Sequence, residues 1–305
     1  MVYLDKQFLE YVAKKIFPGN TRSEIQYHLF IERFTPNNCF TPNNYPLSHT
    51  EIARILSQRE NEPGKYENGL QQNIKEIIKK INSVFREQLM ADGITETQLG
   101  LGDKKGKPGR KKASESSPWQ IIYDWLWNGP YFDWVQDYIW ETWKQEAQSN
   151  TNWMQFQEIG AKGMKIPKGE PTKKLSILTP LCLKIELNCS GNYLILFNRG
   201  KDKQGNITQN LITPSQAFAP NYQLIEKSVL IPQPNAVCGD IQFDAEGKEE
   251  YIGIVTDSPL ELSRLNAKPD ELALQWKAKH LEEIWKQLNG KNNWHIFYGQ
   301  FEIVA

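Results

Sequence analysis

Histidine, cysteine and methionine are scarce in these 305 residues, with only four of each. The histidines, His28, His49, His280 and His295, stand far apart with no HxxxH or HExxH pair, so no zinc centre is expected. Cys39, Cys182, Cys189 and Cys238 make no CxxC pair and read as reduced structural thiols. No apolar run reaches the length of about eighteen residues that a membrane-crossing helix needs. The N-terminal MVYLDKQFLEYVAKKIF carries Asp5, Glu10, Lys14 and Lys15 and lacks the apolar core and cleavage site of a secretory signal. A soluble, cytoplasmic protein with no membrane partner is the expectation. Net charge is missing too: 36 Lys+Arg meet 36 Asp+Glu. Nucleic-acid binding would therefore have to come from a local cluster of cations. There is no GxSxG elbow, no GxxxxGK[ST] phosphate loop and no GxGxxG turn; GLGDKKGKPG comes nearest but has no preceding strand. Neither an enzyme nor a cofactor nor a metal is expected.

What is present divides along the chain. The length favours two modules, and the patterns suggest an α+β multidomain protein. Residues 1–100 carry helical spacing. Within them FTPNN-C-FTPNN, from Phe34, reads as an expanded loop. Ser48 opens S-H-T-E, a capping box before Ile52, Ala53, Ile55 and Leu56. After NEPGKYENG, the residues Leu70, Ile74, Ile77, Ile81, Val84 and Phe85 recur on one face of a long helix. The opposite face gathers Gln71, Lys75, Lys79, Asn82 and Arg86, three or four residues apart. If this face meets double-stranded DNA, those side chains are the candidates to touch it.

Residues 101–118 have no apolar periodicity and collect Lys104, Lys105, Lys107, Arg110, Lys111 and Lys112, which reads as a basic flexible linker able to add phosphate contacts. Residues 119–165 form an aromatic-rich helical segment, with a break at Asn128-Gly129-Pro130. Rings in such number fill a core or an interface, because leaving them in water forgoes much apolar burial. Trp134, Tyr138 and Trp143 are the candidates for a partner interface or for packing on the β half. Interleaved acids such as Asp137 and Glu141 argue against single-stranded nucleic acid on this segment.

Residues 166–305 switch to a period of two. Leu181, Leu183, Ile185 and Leu187 alternate with Cys182, Lys184, Glu186 and Asn188, and further strands are read at Tyr193–Phe197, Ile207–Ile212, Gln223–Ile231 and Glu250–Thr256. An antiparallel β-sandwich follows from that spacing. Pro269 reads as opening a packed helix with Leu274, Ala278, Leu281, Trp285 and Leu288 on one face and Gly290 after it. A closing strand covers Trp294–Val304.

Through PLCLKIEL, SGNYLILFNRG, GNITQNLITPS, YQLIEKSVLIP and EYIGIVTDSPLEL, residues 175–262 resemble the family called domain of unknown function 4384. The resemblance implies a bacterial β-rich accessory or recognition module of the kind found beside protease, kinase or NTPase signalling domains, with no catalytic residue to carry over. This sequence departs from that pattern in showing no such effector domain, which leaves that part to a separately encoded partner. SEIQYHLF, LSHTEIARIL and the long helix resemble, more loosely, winged-helix or sigma-like helix-turn-helix modules. Two functions are compatible with the sequence: a DNA-binding regulator with a ligand- or partner-sensing β domain, and a protein-interaction adaptor in bacterial signalling or antiviral defence.

Overall fold

Leu4, Phe8, Leu9, Val12 and Ile16 recur at helical spacing and all are buried, which makes α1 (Leu4–Ile16) an amphipathic helix. It is followed by α2 (Glu24–Phe34), α3 (His49–Arg59), the 22-residue α4 (Leu70–Ala91), α5 (Pro118–Asn128) and α6 (Pro130–Glu146). This computed structural model describes residues 4–19, 23–36, 47–102, 116–148, 152–159, 174–189, 191–224, 227–263, 274–291 and 293–305. The six cations from Lys104 to Lys112, most of the FTPNN duplication, and Pro269 lie outside the described residues.

Local chemistry sets the helix starts. Ser48 Oγ accepts from the Glu51 N–H at 3.2 Å, and the Glu51 carboxylate accepts from the Ser48 N–H at 2.7 Å. Two orphan amides are thereby satisfied and α3 starts where the sequence spells a capping box. At α5 the Ser117 N–H and hydroxyl both donate to the Gln120 side-chain oxygen, at 2.8 and 2.7 Å, with Pro118 at the first helical position and its missing N–H costing nothing there. Gly129 separates α5 from α6, as expected.

In α4 the core face is Ile74, Ile77, Ile78, Ile81, Phe85 and Leu89. Val84, expected on that face, is 44% exposed. One residue turns the helix by about 100°, which carries Val84 past the edge of the face that Ile81 and Phe85 bury. The backbone leaves helical dihedrals at Phe85 (φ −113°, ψ 23°), which sets the last turn apart.

The C-terminal region contains β1 (Met154–Glu158), β2 (Lys174–Ser176), β3 (Leu181–Glu186), β4 (Tyr193–Lys201), β5 (Ile207–Thr213), β6 (Ser228–Ile231), β7 (Gly247–Thr256), β8 (Leu274–Gln275), α7 (Ala278–Leu288) and β9 (Trp294–Val304). One sheet has the order β1-β3-β6 and the other β2-β9-β7-β4-β5-β8. Among these described strands every pairing is antiparallel except β2 with β9. Leu183, Ile185 and Ile231 from the small sheet share one apolar cluster with Leu194, Leu196, Val255, Phe297 and Phe301 from the large one. The opposite face of β4 meets helices: Phe197 packs on Trp143 of α6, and Trp143 in turn on Trp285 of α7. The fold is α+β.

Several local readings are corrected here. Residues 154–158 pair as β1 instead of continuing the helical segment, because Met154 to Glu158 find partners along β3. Leu274 belongs to β8 and not to a helix: Asn210 and Leu211 pair with Gln275 and Leu274, so an open sheet edge outweighs helical spacing. The strand read at Gln223–Ile231 is narrower, at Ser228–Ile231. Cys182, placed outward by alternation, is buried.

The chain separates into two compact units, 1–135 and 136–305, with the division inside α6. In the first, Phe8 holds an edge-on ring contact with Tyr131 and a tilted one with Trp134, while the Trp127 N–H donates to the Phe34 carbonyl at 2.9 Å. Its α3–α4 connection is fixed by a polar cluster. His28 Nδ1 lies 2.6 Å from Glu60 and 3.0 Å from the fully buried Tyr66 hydroxyl, and Lys65 pairs with Glu60 at 3.0 Å. Hydrogen bonds from Tyr66, Lys65 and His28 hold the Glu60 carboxyl down at about 2. No helix among the described residues is long and apolar enough to cross a membrane.

Candidate functional site

The stripe on α4 divides into two parts. Gln71, Lys75 and Lys79 are exposed, and neither lysine has an acidic partner within 4.0 Å among the described residues. Farther along, Arg86 is paired with Glu96 at 3.2 Å, and Asn82 donates to the same carboxylate at 3.4 Å. The stripe therefore presents cationic charge at one end and is neutralised at the other.

The cationic end opens onto a cleft of about 500 Å³. Gln71, Ile74, Lys75 and Ile78 form one wall; Ser48, His49 and Thr50 at the start of α3 and Ser117, Pro118 and Trp119 at the start of α5 form the others. Helix N-termini present backbone N–H groups and the positive end of the helix dipole, both suited to anions. Behind this surface Arg33 is buried; its guanidinium lies 3.1 Å from the centroid of the Trp119 ring and donates to the Leu47 carbonyl at 2.7 Å. Burial, with the Arg33 charge beside it, pushes His49 down to about 4, so its ring is neutral at physiological pH. Glu51 places one negative charge at the α3 terminus. Lys75, Lys79 and Arg33 outweigh it.

A second concave site lies wholly in the unit 136–305. Asn198 of β4, Thr208, Asn210 and Ile212 of β5, and Glu249 and Tyr251 of β7 line a cavity of about 240 Å³, closed by Phe218 and Phe243. Glu249 and Asn198 are each only 7% exposed, and the Asn198 amide donates to the Glu249 carboxylate at 2.6 Å. Burial pushes the Glu249 carboxyl up, against the opposing pull of Asn198 and the Lys201 backbone; Asp244 adds to the rise. Gly200 makes room for this carboxylate, since a Cβ there would stand 2.0 Å from it. Alternation along GKEEYIGIVT carries the signal that sequence reading missed: Glu249 falls on the same face as Tyr251 and Gly253, a charged side chain at an inward position.

The aromatic candidates have different settings. Trp134 is half-buried against Phe8, Tyr11 and Tyr131. Tyr138 is half-buried near Trp285. Trp143 has no exposed surface and lies stacked on Phe197, so its ring is an internal packing element. Burial raises the Cys182 thiol, which keeps it from being a ready thiolate. Among the described residues no group of three His, Cys, Asp or Glu side chains stands ready for a metal.

No protein-family model, curated protein or solved structure matches this chain.

Proposed function

We propose that the chain is a non-enzymatic bacterial regulatory protein: a helix-turn-helix-like helical part binds double-stranded DNA, and a β-sandwich-like part recognises a ligand or partner. The observation that carries the reading is the position of Lys75. It stands exposed, without an acidic partner among the described residues, on a cleft it shares with the N-terminal turns of α3 and α5. A DNA phosphate seated there meets an ammonium and two sets of helix-terminal amides, and Lys79 one turn on reaches the next phosphate. The cations from Lys104 to Lys112 supply further charge from the sequence. The cavity beside Glu249 supports the sensing role of the β part.

Fluorescence anisotropy of the full chain on a random-sequence duplex at two salt concentrations tests this. Affinity should fall with salt at a log–log slope of roughly −0.9 per phosphate neutralised. Lys75→Glu combined with Lys79→Glu should abolish binding without unfolding the protein. Absence of wild-type binding at low salt removes the DNA reading. A protein-interaction adaptor serving a separately encoded signalling or effector protein is then favoured, on the exposed Tyr11 and Phe132 rings beside half-buried Trp134.

A further inference from the structure

The Glu249 cavity has a chemistry of its own. Its inner end holds a carboxylate that is 7% exposed and takes a hydrogen bond from Asn198, yet has no Lys, Arg or His partner within 4.0 Å among the described residues. A buried carboxylate without a counter-ion is costly, and the rise in its pKa expresses that cost. Gly200 leaves the space in which it sits. Around it the walls are mixed: Thr208 and Asn210 are polar, whereas Ile212, Phe218, Ile241 and Phe243 are apolar. Asp202 and Asp244 add negative charge to the lining. Lys201 also lines the cavity but is itself exposed, and Lys203 pairs outside with Asp244 at 3.4 Å.

The geometry points to a small organic amine as the ligand, its ammonium group on Glu249 and its apolar body between Phe218, Ile241 and Phe243. The ammonium supplies the missing counter-ion through a charge-assisted hydrogen bond. A hard divalent cation fits poorly, since it asks for about six converging oxygen ligands and among the described residues no three His, Cys, Asp or Glu side chains stand close enough together to hold one. A carboxylate or phosphate ligand would meet the like charges of Glu249, Asp202 and Asp244. The inference rests on reading this cavity as a ligand site, so the test separates the two.

Calorimetric titration of the full chain with phenethylamine, 2-phenylethanol and 3-phenylpropionate, three compounds of one shape and different charge, provides it. Phenethylamine should bind about tenfold or more tighter than the alcohol, and the acid more weakly than both. Glu249→Gln should cost the amine about tenfold and leave the alcohol within about twofold. Gly200→Ala tests the same contact without removing the carboxylate: the new methyl displaces only the flexible end of Glu249, so the chain folds and amine affinity falls. Equal binding of amine and alcohol overturns the amine assignment while the cavity stays a ligand site. If none of the three compounds binds, both fall.

Discussion

Glu96 lies 3.2 Å from the Arg86 guanidinium and so removes the last cation of the α4 stripe from competition for phosphate. Lys79, two turns earlier, has no such partner among the described residues. Lys79→Ala should therefore reduce the salt slope of duplex binding by about 0.9, whereas Arg86→Ala should leave it nearly unchanged. Both substitutions should stay within about 0.5 kcal/mol of wild-type stability, as exposed charges do. Paired anisotropy titrations and urea melts check this. An equal loss of slope in the two variants would place the whole stripe on DNA.

Glu250 ties β7 to its surroundings through hydrogen bonds from Lys144 at 2.9 Å, Lys248 at 2.8 Å and the Tyr298 hydroxyl at 2.5 Å. Burial alone would raise its carboxyl; the donors Lys248, Tyr298 and Lys144 overcome that and hold it down at about 2. A depressed carboxyl stabilises the fold above its ordinary value of 4.5, and that stability is lost as pH falls from there toward about 2. Glu250→Gln should cost about 1–3 kcal/mol at pH 7, and the gap to wild type should narrow below pH 4.5. Denaturant melts of both proteins across that range report the difference.

Glu249 has the opposite sign. Its folded carboxyl is raised above 4.5 by burial, so ionisation on the way up in pH destabilises the fold, fully so above the raised value. Glu249→Gln keeps an oxygen that accepts from Asn198 and removes the buried charge. The variant should melt higher than wild type at pH 8 and no higher at pH 4. A lower melting temperature at pH 8 would mean that the carboxylate supports the fold.

Trp143 fills the space between the large sheet and α7. Trp143→Ala leaves a cavity against Phe197 and Trp285 and should cost about 3–5 kcal/mol. Trp134→Ala should cost less, because that ring is half-buried. Urea denaturation of the two variants measures the contrast.

Features governed by neighbours in the chain were legible in the sequence: the Ser48–Glu51 capping box, the buried face of α4, the break at Gly129, the alternating strand at Leu181. Each depends on groups a few residues apart, where helix or strand period decides what faces what. The cationic stripe was legible as a face for the same reason, but the Arg86–Glu96 pair was not, since the end of α4 and the turn after it lie between the partners in the chain. Strand β1 and strand β8 could not be read locally: each forms because another strand, β3 or β5, offers it unpaired backbone groups. Both concave sites belong to that second kind. The cleft at Lys75 needs α3, α4 and α5 to converge, and the cavity at Glu249 needs β4, β5 and β7 to stand side by side. Sequence period placed Lys75 outward, whereas Glu249 lay just before the strand read at Glu250–Thr256 and its inward place went unread; only tertiary packing decided that two helix N-termini would meet the first and that no cation among the described residues would meet the second.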